Sequence, residues 1–305
     1  MKKVFLVILS YKGHEDTFDL LKSLGKIKKI NFELNLVIVD NYPEDPIKLN
    51  SSDYKDFNLR VIYNKENLGF SGGNNIGINE ALKNGADYVV ILNNDTLVDP
   101  AFIEELVKVT EDNDRVGIVT PKIYFAKGYE FHKDRYKEEN LGKVIWYAGG
   151  RINWKNVLGM HRGVDEVDNG SYDKTSETEL ATGCCLLIKR EVLEKLGGYD
   201  EKYFLYFEDA DLSERAKKAG FKILYSAKAI IWHKNAQSSG GSGSILQDYF
   251  ITRNRLIFGY RYAPLRAKIA LLRESLNLIL RGRPWQRKGA MDFYLGRFGR
   301  GSFPL

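Results

Sequence analysis

Five side chains in this sequence have the types and spacing for chemistry: Asp95 in ILNNDTLVDP, Glu208, Asp209 and Asp211 in FLYFEDADLSERAKKAG, and His233 in IIWHKN. Asp95 follows the β-favouring run Tyr88 to Leu92 and closes the polar cluster Asn93-Asn94-Asp95, so a carboxylate is delivered to a strand end. Ligands collect at strand ends of open α/β sheets; an acid there suits a divalent cation, and a cation suits a phosphate. Tight-turn chemistry accounts for the same three residues. Glu208, Asp209 and Asp211 crowd the first turn of a predicted helix, where the helix dipole favours acids. Their other reading is catalytic: one carboxylate takes a proton from a hydroxyl nucleophile while the others hold the acceptor or tune its pKa. His233 is either structural or an imidazole that completes a metal site with Asp95.

Such residues need a scaffold that brings distant strand ends together. Lys3 to Leu9, Leu34 to Val39, Leu59 to Tyr63, Tyr88 to Leu92 and Val116 to Thr120 read as strands. Between them lie predicted helices near Asp16 to Leu24, up to about Asn84, and from Pro100 to Glu111. This alternation argues for βαβ crossovers and a mostly parallel sheet. Ser10 with Tyr11, Asp40 with Asn41, and Asn93 to Asp95 all end strands, and a shared edge would gather them. The run NKENLGFSGGNNIG offers small residues and backbone N–H groups ahead of a helix, suited to close approach of a ligand. It lacks GK[ST] and GxGxxG, which argues against a P-loop NTPase and a dinucleotide enzyme. Beyond Pro121, VIWYAGGRINW predicts hairpin pieces and residues 163–179 a mobile polar loop. Then come a strand at Leu180 to Lys189, a short helix stopped by Gly197-Gly198, and a helix from Asp209 to Ala219. FKILYS and Ile230 to His233 read as two further strands, ahead of a serine and glycine run at Gln237 to Ser244.

Composition bounds these readings. The chain has 305 residues, 44% of them hydrophobic, enough for one large α/β domain with an appendage. Its two cysteines, Cys184 and Cys185, are adjacent and poorly placed to pair, which points to a reducing, cytoplasmic setting without disulfides. The apolar run in MKKVFLVILSYKG reads as a first strand rather than a signal peptide, and no run approaches the roughly 20 residues that span a bilayer. From Arg253 onward twelve Lys/Arg face two acids, so the tail carries +10 and the rest −4 of the net +6. In the tail, Leu265, Ile269, Leu272, Leu276 and Ile279 form a helical stripe. It suits either packing on the domain or an interfacial helix at an anionic membrane; no nucleic-acid recognition motif accompanies the charge.

Taken in order, VILSYKG, VIVDN, NKENLGFSGGNNIGI, ILNNDTLVDP, ATGCCLLIKREV, FLYFEDADLSERAKKAG and IIWHKNAQSSGG before YFITRNRL resemble the inverting nucleotide-sugar glycosyltransferases of family 2. Among these, the chain looks most like the rhamnosyltransferase-like enzymes of surface polysaccharide synthesis. The resemblance covers residues 1–260. It implies a GT-A fold, with a nucleotide-sugar half at 1–120, an acceptor and catalytic half at 121–260, and a basic helical extension at 261–305. It further implies Ser10, Tyr11 and Asp40 at the nucleobase and ribose, Asn67, Gly73 and Asn74 lining the nucleotide pocket, and Arg253 near the diphosphate. Asn93 to Asp95 occupies the DXD position, with Asp95 and His233 on Mg²⁺ or Mn²⁺ and Asn93 departing from the strict motif. Asp209 matches the catalytic base, with Glu208, Asp211, Gly183 and Trp146 on the acceptor side. The implied partners are a nucleotide-diphosphate sugar, a glycan or lipid-linked acceptor, and an anionic membrane surface met peripherally through the tail. Two rivals are a sugar nucleotidylyltransferase, for which LSYKGHEDT lacks the glycine-rich basic loop, and a non-catalytic carbohydrate-binding protein, in which Asp95, Asp209 and His233 together are unexpected.

Overall fold

Strands that read as unbroken apolar runs are those buried on both faces of a sheet, and here they form its centre. The computed structural model describes residues 1–27, 31–50, 54, 57–235 and 243–304. The predicted serine and glycine run falls largely outside them. In chain order the elements are β1 (Lys2–Ser10), α1 (His14–Leu24), β2 (Phe32–Asp40), β3 (Asn58–Tyr63), α2 (Gly69–Lys83), β4 (Tyr88–Asn93), β5 (Thr96–Val98), α3 (Phe102–Glu111) and β6 (Val116–Phe125). There follow β7 (Ile145–Tyr147), β8 (Gly150–Asn153), β9 (Leu158–His161), β10 (Ser176–Glu177), β11 (Cys185–Lys189), α4 (Arg190–Leu196), α5 (Glu208–Lys218) and β12 (Lys222–His233). The chain closes with α6 (Ile245–Tyr262), α7 (Leu265–Arg281) and α8 (Pro284–Tyr294).

The main sheet runs β10-β12-β6-β11-β4-β1-β2-β3. β3, β2, β1 and β4 are mutually parallel, β11 is antiparallel to both β4 and β6, and β6 pairs in parallel with β12. Alternate residues of β1 feed two cores. Val4, Leu6 and Ile8 pack with α1 and α3, while Phe5 and Val7 pack with α2, α4 and α5. A third core joins Ile152, Tyr203, Phe258 and Leu271 beneath the β8–β9 hairpin and the C-terminal helices.

Three sequence expectations change. The two strands predicted at FKILYS and Ile230 to His233 are one, β12, whose register shifts between Ser226 and Ile230; such a bulge looks like a break when only local pattern is read. The glycine run does not all lie ahead of a helix: from Gly69 on it forms the first turns of α2. A Cβ at Gly73 would sit 2.3 Å from Leu9, and one at Gly77 2.2 Å from Val7, so these glycines let α2 lie close on β1. Residues 163–179 are pinned rather than mobile: the buried Lys122 ammonium donates to Asp168 (2.8 Å) and Asp173 (2.6 Å).

Candidate active site

The Asn93–Asp95 turn is built by strand register. The backbone N–H of Asn93 donates to the Cys184 carbonyl (2.9 Å), the Thr96 hydroxyl to the Asn93 carbonyl (2.7 Å), and the Asn94 amide to the Thr17 hydroxyl (3.1 Å). Turn chemistry and site chemistry thus coexist: Asn93 and Asn94 fasten the turn that presents Asp95. β5 then pairs with β12 so that Thr96 lies opposite His233, and the Lys234 N–H donates to the Asp95 carbonyl (2.8 Å). The pairing sets His233 Nε2 3.2 Å from the Asp95 carboxylate, both groups buried. The other ring nitrogen, Nδ1, is buried without a hydrogen-bond partner.

Trp146 wedges this pair in place. Its indole meets the His233 ring edge-to-face at 4.6 Å and the His161 ring at 4.5 Å, and its carbonyl lies 3.2 Å from His161 Nδ1. Burial pushes the His161 pKa down to about 4, with the carbonyl contact opposing and nearby His233 assisting, so this imidazole is neutral at neutral pH. Sequence reading missed His161. The available signal was a histidine seven residues beyond the predicted hairpin pieces, in what folds as β9.

The acidic turn stands on a strained support. Phe204, Tyr206 and Phe207 have φ of 64°, 69° and 72°, a left-handed region costing bulky residues about 1–3 kcal/mol each. Asn254 Nδ2 holds them, lying within hydrogen-bond distance of the carbonyls of Tyr203 (2.8 Å), Leu205 (2.7 Å) and Tyr206 (2.9 Å). With the chain so turned, α5 begins at Glu208, and the Asp209 carboxylate accepts from the N–H of Gly183 (2.9 Å) and of Ala210 (2.7 Å). A Cβ at Gly183 would lie 3.2 Å from Phe70 and 3.7 Å from Asp209, so the absence of a side chain leaves the carboxylate accessible. Burial raises the Asp209 pKa against those N–H groups. Burial, and then the Asp209 charge, raise that of Glu208 well above the usual carboxylate range. Glu208 thus keeps its proton to higher pH than a solvated glutamate does, the charge of its neighbour being one cause.

These groups open into one cleft of about 470 Å³. Of the predicted site residues, Tyr11, Asn67, Asn93, Asn94, Asp95, Trp146, Gly183, Glu208, Asp209 and His233 line it. Ser10, Asp40, Gly73, Asn74, Asp211 and Arg253 do not. Ser10 is buried against Thr17, Asp40 accepts the N–H groups of Tyr42 and Ile47, and Asn74 donates to the Phe70 carbonyl one helical turn back. Asn41, the neighbour of Asp40, lines the cleft instead and donates to Asn67 (2.9 Å). Asp211, expected on the acceptor side, is fully buried and engaged by Arg215 (2.7 Å), Arg261 (2.6 Å) and Tyr262 (2.7 Å), locking α5 to α6. Arg253, expected near a diphosphate, is also fully buried and donates to the carbonyls of Lys202 (3.3 Å) and Tyr203 (3.1 Å). It braces the aromatic loop together with Asn254, its neighbour in the sequence, which sequence reading passed over.

Among the described residues no three His, Cys, Asp or Glu side chains gather at a point that could hold a metal ion. The Asp95–His233 pair still fits a divalent cation in part: one hard oxygen donor and one imidazole, leaving positions for diphosphate oxygens and water. Cys184 lines the same cleft, but burial, reinforced by Asp95, raises its thiol pKa and keeps it protonated.

The chain is 24% identical over 253 residues to the low-salt glycan biosynthesis hexosyltransferase Agl10 of Haloferax volcanii, covering 83% of this chain and 74% of that one. It is 28% identical over 160 residues to an N-acetylglucosaminyl-diphospho-decaprenol L-rhamnosyltransferase of Mycobacterium tuberculosis, a match spanning 50% of this chain and about half (49%) of that protein. In fold it resembles GalNAc-T7 solved with UDP, GalNAc and Mn²⁺, with a TM-score of 0.61, 16% identity, and coverage of 90% of this chain and 57% of that one. It also resembles a mannosyltransferase from Pyrobaculum calidifontis solved with GDP-Man and Mn²⁺, with a TM-score of 0.54, 16% identity, and coverage of 99% and 76%. The mixed sheet flanked by helices is the GT-A fold. A family model described as glycosyltransferase like family 2 matches residues 3–259, which take in every strand of the sheet and the cleft at its edge, and the chain belongs to that family.

Proposed function

We propose that this glycosyltransferase moves a hexose or deoxyhexose, rhamnose among them, from a nucleotide-diphosphate donor to a hydroxyl of a glycan or lipid-linked acceptor, with inversion at the anomeric carbon. The chain would act in surface polysaccharide synthesis, peripherally at the cytoplasmic face of a membrane. The observation that carries the reading is that the Asp209 carboxylate and the Asp95–His233 pair line one cleft. In this reading Tyr11, Asn67 and Asn94, which line the cleft, would serve the donor, and Trp146, Gly183 and the acids the acceptor.

Asp209 accepts the proton of the acceptor hydroxyl. The hydroxyl oxygen bonds to the anomeric carbon from the face opposite the nucleotide, and the bond from that carbon to the diphosphate oxygen breaks. Two N–H donors orient the base, and its burial makes it a stronger base than a solvated aspartate. Asp95 and His233 would hold Mg²⁺ or Mn²⁺, which when bound supplies positive charge against the leaving diphosphate. Trp146 keeps the His233 ring in register with Asp95.

The Asp209→Asn variant tests the reading. Transfer should fall by about 10² to 10⁴, the usual range for a general base, while donor-induced thermal stabilisation is kept. Near-normal turnover in the variant would remove Asp209 from this role.

A further inference from the structure

α7 has two apolar faces. Ala267 and Leu271, with Ser275, are buried on its inner side, and the Ser275 hydroxyl meets the Tyr294 hydroxyl of α8 at 2.7 Å. Leu265, Ile269, Leu272, Leu276 and Leu280 form a second, outward stripe, each 40–74% exposed. Single exposed aliphatics are ordinary, but five in line along one helix form a contiguous patch of the kind that marks an interaction surface. At about 3.6 residues per turn, Arg266 and Arg273 run along one edge of the stripe and Lys268 along the other. The one acid of α7, Glu274, falls on the far side, held by Arg255 of α6 at 2.7 and 3.0 Å.

We propose that this face of α7 seats in the headgroup region of an anionic lipid bilayer, the aliphatics reaching the acyl boundary and Arg266, Lys268 and Arg273 meeting lipid phosphates. Charge selects lipid over a second copy of the chain. Leu265, Ile269, Leu272 and Leu276 have coiled-coil spacing, but the flanks of the stripe are basic on both sides, so pairing two copies would set like charges together. No helix among the described residues is long and apolar enough to cross a membrane, and a surface-lying helix needs no such length. The surface deepens the membrane placement proposed above without resting on sugar transfer, because vesicle binding is read whether or not the chain is active.

The test is co-sedimentation of the full chain with vesicles of phosphatidylcholine alone or mixed with phosphatidylglycerol. The full chain should sediment with the anionic vesicles and be released by high salt. The exposed-site double variant Leu272→Glu/Leu276→Glu should lose at least tenfold in partitioning with unchanged thermal stability. Arg266→Gln and Arg273→Gln should each cost about fivefold, the equivalent of the about 1 kcal/mol gained per basic residue near an anionic surface. Equal sedimentation of the native chain and the double variant, or none with anionic vesicles, would overturn the assignment. So would a lipid-free dimer, seen by light scattering, that the double variant splits.

Discussion

Glu208 is buried and Asp209, its neighbour at the cleft, is half-buried, and loss of solvent makes it costly for both to ionise together. The environment separates them: Asp209 has two backbone N–H donors for its charge, whereas Glu208 Oε2 is buried without a partner. A consequence for stability follows. An unfolded glutamate ionises near pH 4.3, while Glu208 in the fold keeps its proton to higher pH, so unfolding releases a proton above about pH 4.3 and stability falls as pH rises through the folded pKa. Glu208→Gln, which cannot ionise, should remove that slope, with a melting temperature equal to the native one near pH 4 and higher at pH 7 to 8. The same variant should keep most of the transfer activity, in contrast to Asp209→Asn. Thermal unfolding across pH 4 to 8 checks the first expectation and a transfer assay the second.

At the scale of elements, the acids depend on a loop that three aromatic residues hold in left-handed backbone. Such strain persists only where the surroundings over-determine it. The surroundings here are α6: Asn254 contacts three loop carbonyls with an amide that has two protons, and Arg253 donates to one of these, that of Tyr203, and to that of Lys202. Asn254→Ala should therefore cost about 1–3 kcal/mol by leaving buried carbonyls unpaired. It should also lower kcat more than it raises the donor KM, because the base moves while the Asn93–Asp95 turn, fastened by β4 and β11, stays. Urea unfolding and steady-state kinetics read the two effects separately. A variant that lost stability alone would show Asn254 to be structural only. Arg253, which the resemblance implies near a diphosphate, is buried, and its charge is turned inward.

At the scale of the whole molecule, the basic C-terminal segment is packed on the catalytic body by the same α6. The Tyr249 hydroxyl donates to Asp292 of α8 at 2.5 Å, the Ser302 N–H donates to that carboxylate at 3.0 Å, and the Arg297 carbonyl accepts from Arg253 at 3.4 Å. Removing residues 261–305 would strip the fully buried Asp211 carboxylate of Arg261 and Tyr262, and Arg253 of the Arg297 carbonyl. The truncated chain should lose at least about 3–5 kcal/mol, the usual cost of stripping a buried charge of its partner, measurable by urea unfolding. The outer face of α7, by contrast, is exposed.

The parallel strands β1 to β4, β6 and the polar strand ends were legible because they rest on local pattern, apolar runs, turn residues and short crossovers, whereas the short β5 and β10 and the antiparallel sense of β11 were not. Asp95, Asp209 and His233 were legible as candidates because charged groups beside buried elements are uncommon. Their assembly into one cleft was not, since it depends on β5 pairing with β12 across more than a hundred residues and on Asn254 bending a loop fifty residues away. Tertiary packing alone separated Asp209, which faces the cleft, from Asp211, two positions along the same helix and sealed by Arg215 and Arg261. Residue type states what a side chain is able to do; which way it points is decided by what packs against its helix or strand.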